Sequence, residues 1–519
     1  MASHHHPLLL KRIEAHGNAL ALTDEAGKYT YADVLSAAHR IAGDLLEAND
    51  DLAEKRVAFM ATPGFDYTAT MLGIWCAGGI AVPLCEQYPA REIEYVLDDT
   101  KAELLLASTE HAARLQDLNG AERRRVRTIQ DSLESESRTA LNISDDRRAM
   151  ILYTSGTTSR PKGVVTTHRN IAAQIESLIE AWEWTSNDRI LQFLPLHHVH
   201  GIINVLCCSL WAGATCDVLP NFDAERVWGR ISLGRLTLLM AVPTIYVKLI
   251  AAWNESNSDE QRRYSQAASK LRLMVSGSAA LPVSVLEHWK SITGQTLLER
   301  YGMTEIGMAL SNPLHGERKP GAVGTPLPGV DVMLADEAGG RIESEGVEGE
   351  ICVRGDTVFK EYWGKEEVTQ SAFRDGWFLT GDISIINDGT YRILGRNSVD
   401  IIKSGGYKIS ALEIEEVLRT HPDIEECAVV GIPDDEWGER VSVAAVPKTG
   451  RSIALGTLRK WAADKLAKYK IPSSLLVVDE LPRNVMGKVM KPEVQGLFNE
   501  QAKSRDSALQ PIIRKQERN

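Results

Sequence analysis

Cysteine is scarce in this sequence. Cys76, Cys85, Cys207, Cys208, Cys216, Cys352 and Cys427 are scattered over 519 residues, odd in number and without a C-x-x-C pair. That speaks against a disulfide framework or a thiolate zinc site and fits a reducing compartment. Positive charge is not in excess either: 58 Lys plus Arg face 70 Asp plus Glu, a formal net charge of −12. A nucleic-acid protein would need a concentrated basic face, and the one basic cluster, Arg123–Arg125 with Arg127, reads as a solvated surface. No apolar run reaches membrane length. The stretches 71–85 and 201–215 are broken by Gly, Pro, Asn or Ser and fall short of the ~20 residues a spanning helix needs. There is no internal repeat, low-complexity segment, charged-then-apolar leader, Arg/Ser-rich transit pattern or terminal Ser-Lys-Leu. A cytoplasmic enzyme is expected, with mitochondria as the other location left open.

The apolar content is ample. With 44% hydrophobic and 25% charged residues, the chain can build several cores, three or four at the usual ~150 residues per domain. Through the first part, strand-like runs alternate with helical periodicity, the pattern of α/β layers. Met150–Thr154 reads as a buried strand and 163–165 as a second. Ile171, Ile175, Leu178 and Trp182 recur at helical spacing. Further strands are expected at 189–196, 236–241 and 271–275, each ending at a polar or Gly-rich turn where such proteins place ligand groups. The pattern changes near 395–400. Beyond it lie Ser404-Gly-Gly406, a capping-box signature at Ser410-Ala-Leu-Glu413, and strands at 427–431 and 441–446 with Pro433-Asp-Asp435 as their turn. A helix at 458–466 and a strand at 475–478 follow. The expected organisation is a large α/β domain of several subdomains over 1–395, a hinge at 396–400, a small mobile α+β domain over 401–500 and a polar tail over 501–519.

The most informative stretch is Tyr153-Thr-Ser-Gly-Thr-Thr-Ser-Arg-Pro-Lys-Gly-Val164. Hydroxyls and glycines after a buried strand offer N–H and O–H donors to phosphate oxygens, and Lys162 adds a mobile cation. It is not a Walker A loop: Pro161 precedes the lysine and Gly163 follows it. The stretch resembles the signature loop of the adenylate-forming superfamily, which contains acyl-CoA synthetases, peptide-synthetase adenylation domains and firefly-type luciferases. Ser159 stands where that pattern usually has Gly. The resemblance implies that Thr154, Ser155, Gly156, Thr157, Thr158 and Lys162 bind ATP.

Further motifs match in order along nearly the whole chain. Tyr301-Gly-Met-Thr-Glu305 resembles the motif whose tyrosine stacks on adenine, whose threonine meets the α-phosphate and whose glutamate holds Mg²⁺. Gly302 belongs to the same ATP set, Thr304 would act in catalysis, and Glu305 is a hard oxygen ligand suited to a phosphate-clamping metal. Asp382, ending Trp377-Phe-Leu-Thr-Gly-Asp382, has two oxygens for the ribose hydroxyls, and Arg396 resembles the arginine that also contacts the nucleotide. In Leu481-Pro-Arg-Asn-Val-Met-Gly-Lys488, Lys488 matches the lysine that swings to the α-phosphate during adenylation. Asp400 falls at the family hinge, and Ser404, Gly405, Gly406 and Tyr407 would line the pantetheine tunnel. The implied cofactors are ATP, Mg²⁺ and the co-substrate CoA; the implied partners are small molecules, with neither nucleic acid nor a transmembrane segment.

Arg300 bears on the acyl substrate. Relatives that take aromatic or fatty acids usually have a small residue just before the motif tyrosine. A guanidinium beside an apolar tail would be a buried unpaired charge, so an anionic partner is expected. A short dicarboxylate supplies one, with one carboxylate activated and the other held bidentately; an ion pair with Glu299 or Asp382 is the plainer reading. In Leu196-His-His-Val-His-Gly201, His198 matches the gating histidine, His197 takes the usual aromatic position, and His200 can donate to the distal carboxylate. Val199 and Met308 would flank the α-carbon, and Ser276 and Gly277 complete the acyl set. Segments 300–308, 319–326 and 398–407 together resemble the malonyl-CoA synthetase branch. The expectation is a malonate–CoA ligase, with methylmalonate as a second substrate. A ligase for another short or aromatic acid, amino-acid activation for a carrier, a luciferase-like monooxygenase and a non-catalytic nucleotide binder are the alternatives.

Overall fold

Arg148–Thr154 and Lys162–Thr167 are rich in apolar and β-branched residues, and in the computed structural model they pair antiparallel, with Thr154 opposite Lys162. Parallel pairing would need a crossover of a dozen or more residues, which the short connection does not supply. The structure describes residues 6–118, 124–154, 161–434, 436–484 and 487–501.

The chain parts into two units. The first runs to Leu281 and adds Val285–Met333 and Cys352–Leu379; the second comprises Pro282–Ser284, Leu334–Ile351 and the chain from Thr380. The first unit holds two large sheets. One, of seven strands, runs in the order Glu361–Tyr362, Lys162–Thr167, Arg148–Thr154, Ile80–Pro83, Arg56–Met60, Leu104–Ala107, Arg125–Thr128. The four strands from Ile80–Pro83 onward are parallel to one another, and Arg148–Thr154 is parallel to Ile80–Pro83. Ile80–Pro83 and Leu104–Ala107 are buried throughout and the other inner strands are buried except at their end residues, as sheets covered by helices must be. The other, of nine strands, carries Arg189–Gln192, Leu238–Ala241, Leu273–Ser276 and Leu298–Met303 side by side in parallel, then turns antiparallel at Gly307–Ser311. The expected strand at 189–196 ends at Gln192, whose side-chain Nε2 donates to the Leu194 carbonyl, and the chain then enters a π-helix at His200–Cys207. The helix His168–Trp182 starts from a complete capping box, Thr167 with Asn170, and buries Ile171, Ile175, Leu178 and Trp182, the residues its periodicity singled out.

In the second unit, Tyr407–Ser410, Ile401–Ser404, Gly438–Pro447 and Ile424–Asp434 form a sheet, with Ser474–Val477 parallel to Gly438–Pro447. Ile402, Ile409, Ile414, Leu418, Val429, Val443 and Leu458 form its core. Two local expectations are corrected here. Pro433 and Asp434 extend the strand rather than turn it; Asp434 Oδ1 accepts the N–H groups of Glu436 and Trp437 just beyond, and Asp435 lies outside the described residues. The capping box at Ser410 is half made: Ser410 Oγ accepts the Glu413 N–H at 3.2 Å, but the Glu413 carboxylate is taken by Lys470 Nζ at 2.7 Å. The following helix spans Leu455–Ala462, starting and ending earlier than its sequence pattern indicates. Among the described residues no helix is long and apolar enough to cross a membrane.

Candidate active site

The antiparallel pair Arg148–Thr154 and Lys162–Thr167 sets Thr154 and Lys162 across from each other at the two ends of the Gly/Ser/Thr stretch. Ser155, Gly156, Thr157, Thr158 and Ser159 lie outside the described residues. Lys162 Nζ sits 4.9 Å from the centroid of the Tyr362 ring, a cation–π contact.

Tyr301 and Gly302 lie on Leu298–Met303, which folds back through Thr304 and Glu305 into Gly307–Ser311. The return is tight: a Cβ at Gly302 would come 2.1 Å from the Gly307 carbonyl oxygen. Met308 is buried, its methyl group packed against Gly302. Glu305 is 5% exposed, and its Oε1 accepts the Tyr362 hydroxyl at 2.9 Å.

Arg300, on the same strand, is 3% exposed and points its guanidinium at Gly277, where a Cβ would come within 2.6 Å of Cζ. No carboxylate among the described residues pairs with it. Glu299 instead accepts the Gly321 N–H, and Asp382 pairs with Arg396, so the plainer sequence reading of Arg300 is set aside. Its Nη2 meets Ser278 Oγ at 3.4 Å, and its Nε has no partner. Burial pushes the guanidinium pKa down to about 9, still charged at neutral pH. Ser278 Oγ in turn lies 3.3 Å from His200 Nδ1. His200 is held neutral: burial, then the Arg300 charge, then His198 push its pKa well below the ordinary imidazole value. Its Nε2 and the nearby strand-end Ser276 Oγ also lack protein partners. The pocket therefore gathers one cation, one neutral imidazole and hydroxyls, a donor set that suits an anion.

Sequence reasoning reached Arg300, His200, Ser276 and Gly277 but stopped one residue short of Ser278, which links them. Ser278 takes φ +68°, a left-handed conformation no local pattern announces. Asn204 was also missed. It is 1% exposed in the π-helix that begins with His200, and neither of its amide atoms has a partner. Val199 caps that helix and is buried. The His197 and His198 rings lie 4.1 Å apart, tilted by 52°, and burial lowers His198 to about 4.

These neutral histidines couple folding to pH. Burial also takes His168 to about 3. A folded pKa below the unfolded ~6.5 gives stability that is complete above pH 6.5 and lost as pH falls toward the folded value. At pH 5 each such histidine costs about 2 kcal/mol. The thermal midpoint is expected to fall between pH 6.5 and 5, above the range where most carboxylates titrate, and to fall less in His168→Asn. A flat midpoint from pH 7 to 5 would show that these imidazoles are charged when folded.

In the second unit, Asp382 and Arg396 face each other in the Trp377–Asn387 and Thr390–Arg396 hairpin and form a two-pronged pair, Nε–Oδ1 3.0 Å and Nη2–Oδ2 3.4 Å. The Arg396 N–H donates to Asp400 Oδ2 at 3.0 Å. Asp400 is further held by Lys491 Nζ at 2.6 Å, which also reaches Glu415 at 2.8 Å. Lys491, unremarked in the sequence, thus anchors the expected hinge. Lys488 lies where Asn484 N–H donates to the Lys488 carbonyl and Lys488 N–H to Asn484 Oδ1. Its side chain reaches solvent, yet crowding by protein and the Arg396 charge lower its pKa, with Asp382 and Asp400 opposing. Gly405 and Gly406 take φ +57° and +83°, and a Cβ at Gly405 would meet the Trp437 ring at 2.9 Å. The turn itself therefore requires both glycines. Ser404 is buried, whereas Tyr407 is exposed and stacks on Tyr469 at 4.4 Å.

The chain has counterparts among known proteins. Residues 9–363 match the family model described as AMP-binding enzyme, and residues 413–488 match the AMP-binding enzyme C-terminal domain. The chain is 45% identical to the mitochondrial malonate–CoA ligase ACSF3 of Bos taurus, covering 92% of this chain and 88% of that protein. The ATP-bound crystal structure of MatB from Rhodopseudomonas palustris superposes with a TM-score of 0.87 at 33% identity, covering 95% of this chain and 99% of that one. The o-succinylbenzoate CoA synthetase MenE of Bacillus subtilis, in complex with an acyl-adenylate intermediate, gives a TM-score of 0.83 at 26% identity, covering 95% and 98%. This chain therefore belongs to the AMP-binding enzyme family, as an adenylate-forming acid–CoA ligase that uses ATP and CoA.

Proposed function

We propose that the acid is malonate, with methylmalonate as a second substrate. The carrying observation is Arg300: a buried guanidinium with no carboxylate partner among the described residues, beside a histidine held neutral. One malonate carboxylate attacks the α-phosphorus of ATP, and the bond to pyrophosphate breaks. The thiol sulfur of CoA then attacks the acyl carbon, AMP departs with the bonding electrons of its carboxyl–phosphate oxygen, and the thiol proton is released. The distal carboxylate rests against Arg300. With the Ser278 hydroxyl donating to His200 Nδ1, the other ring nitrogen carries the proton and is a second donor to that carboxylate. Val199 and Met308 bound the α-carbon. The mitochondrial label on the bovine relative is the location this reading takes, in place of the cytoplasmic one; subcellular fractionation checks it.

On the nucleotide, Thr154, Ser155, Gly156, Thr157, Thr158 and Lys162 take the phosphates, Tyr301 and Gly302 the adenine, Thr304 the α-phosphate, and Asp382 with Arg396 the ribose side. The donor set suits Mg²⁺: Glu305 offers a hard carboxylate oxygen, oriented by the Tyr362 hydroxyl that donates to Oε1. Glu305 would hold the ion, which when bound draws charge from the phosphates. Lys488 offsets charge at the α-phosphorus, His198 gates the passage of the thiol, Asp400 is the hinge, and Ser404, Gly405, Gly406 and Tyr407 receive pantetheine.

AMP release with CoA across malonate, methylmalonate, succinate, acetate and coumarate tests the substrate. Acetate leaves Arg300 without a counter-charge, which costs ~1–3 kcal/mol, on the order of 10- to 150-fold. Acetate or coumarate matching malonate in kcat/KM would sink the proposal while leaving the ligase chemistry intact.

A further inference from the structure

Tyr362 has no part in any motif read from the sequence, yet it touches two charged groups of the nucleotide site. It lies on the short strand Glu361–Tyr362, which pairs with the strand leaving the phosphate loop and sets Tyr362 opposite Val164. The strand is pinned closely on both sides. Lys360 N–H donates to the Val165 carbonyl at 2.9 Å and Trp363 N–H to the Gly163 carbonyl at 2.8 Å. Tyr362 N–H donates to Thr369 Oγ1 at 3.0 Å, and the Trp363 indole N–H to the Asp99 carbonyl at 3.1 Å. The ring they hold is 7% exposed. Its hydroxyl donates to Glu305 Oε1 at 2.9 Å, and Lys162 Nζ lies 4.9 Å from its centroid. Glu305 is fixed from its backbone as well, its carbonyl accepting the Phe359 N–H at 2.7 Å.

We infer that Tyr362 is a positioning residue for the metal–ATP complex, its hydroxyl fixing the Glu305 carboxylate and its ring holding the Lys162 ammonium, so that both charges are set before the nucleotide arrives. The inference rests on the reading in which Glu305 takes Mg²⁺ and Lys162 the phosphates. A long lysine and a glutamate each lose rotamer freedom on engaging a ligand, and one rigid ring that restrains both lowers that cost. The two contacts are separable, because phenylalanine keeps the ring and loses only the oxygen.

The test is calorimetric titration of ATP into the full chain without carboxylate substrate, in EDTA and over a series of MgCl₂ concentrations, for wild type, Tyr362→Phe, Tyr362→Leu and Glu305→Gln. In Tyr362→Phe, the affinity in EDTA is expected to stay at the wild-type value while the gain conferred by Mg²⁺ shrinks roughly 10-fold. Tyr362→Leu also weakens ATP in EDTA by several-fold, because Lys162 loses its platform. In turnover, the KM for metal–ATP rises while that for malonate holds, a split that a general packing defect would not produce. A full Mg²⁺ gain in Tyr362→Phe, with that gain lost in Glu305→Gln, overturns the inference and leaves the reading of Glu305 standing. A full gain in Glu305→Gln overturns that reading and the inference with it. Should Tyr362→Leu fail to fold, the phenylalanine variant alone decides the role of the hydroxyl.

Discussion

Lys488→Ala is expected to slow malonate-dependent pyrophosphate release by at least roughly 10²-fold, the effect of removing one preorganised donor from a developing oxyanion. Negative charge builds on the α-phosphate oxygens as the carboxylate attacks, and a cation held there stabilises the transition state more than the bound ATP. The local setting suits a lysine that must move. Its side chain is open to solvent, while hydrogen bonds between Asn484 and the Lys488 backbone hold the main chain on either side. Because that side chain is exposed, the thermal midpoint should hardly change, which separates lost chemistry from lost folding. Lys488→Arg keeps the charge and should retain more activity than alanine. Pyrophosphate release near the wild-type rate in Lys488→Ala would remove this lysine from the adenylation step.

Arg300→Ala should erase discrimination between malonate and acetate. The kcat/KM for malonate is expected to fall by roughly 10²-fold or more, because a charged, two-pronged contact to a buried carboxylate is lost and that carboxylate is stranded. Acetate, which leaves the same guanidinium unanswered in the wild type, should be unchanged or improve. The alanine variant is also expected to be no less stable than wild type without substrate, since it removes a buried charge whose burial cost shows in its lowered pKa. A second route checks the geometry. Gly277→Ala keeps the charge but puts a methyl group where Cζ lies 2.6 Å away, so the guanidinium must shift; malonate should suffer and acetate much less. If Arg300→Ala still prefers malonate by the wild-type margin, another group reads the distal carboxylate.

Much of the site was readable because its chemistry lies in contiguous runs. Tyr301 to Glu305 and the stretch from Thr154 to Lys162 carry their residue types in a fixed order, and Leu298–Met303 needs only an ordinary strand and a tight return to present the former. The helix after the loop was equally plain, because its four apolar residues and its Thr167 cap are local features. Elements that depended on distant neighbours were read less well. Pro433 and Asp434 have turn composition, but ten-residue pairing with Gly438–Pro447 carried the strand through them. Glu413 has the spacing of a cap but found Lys470, 57 residues away, a stronger partner.

By itself, the sequence determined the α/β class, because strand and helix periodicity carry it; the ordered motifs implied the adenylating chemistry through their resemblance to a known superfamily, and Arg300 called for an anionic partner that could be a substrate, Glu299 or Asp382. Only the tertiary structure decided that Arg300 meets Ser278 and Gly277 rather than Glu299, that Lys491 holds Asp400, and that Tyr362 reaches Glu305 across 57 residues. A partner is settled by which strands lie side by side and which side chains share a buried volume, and those follow from packing the whole unit, not from any local run of residues.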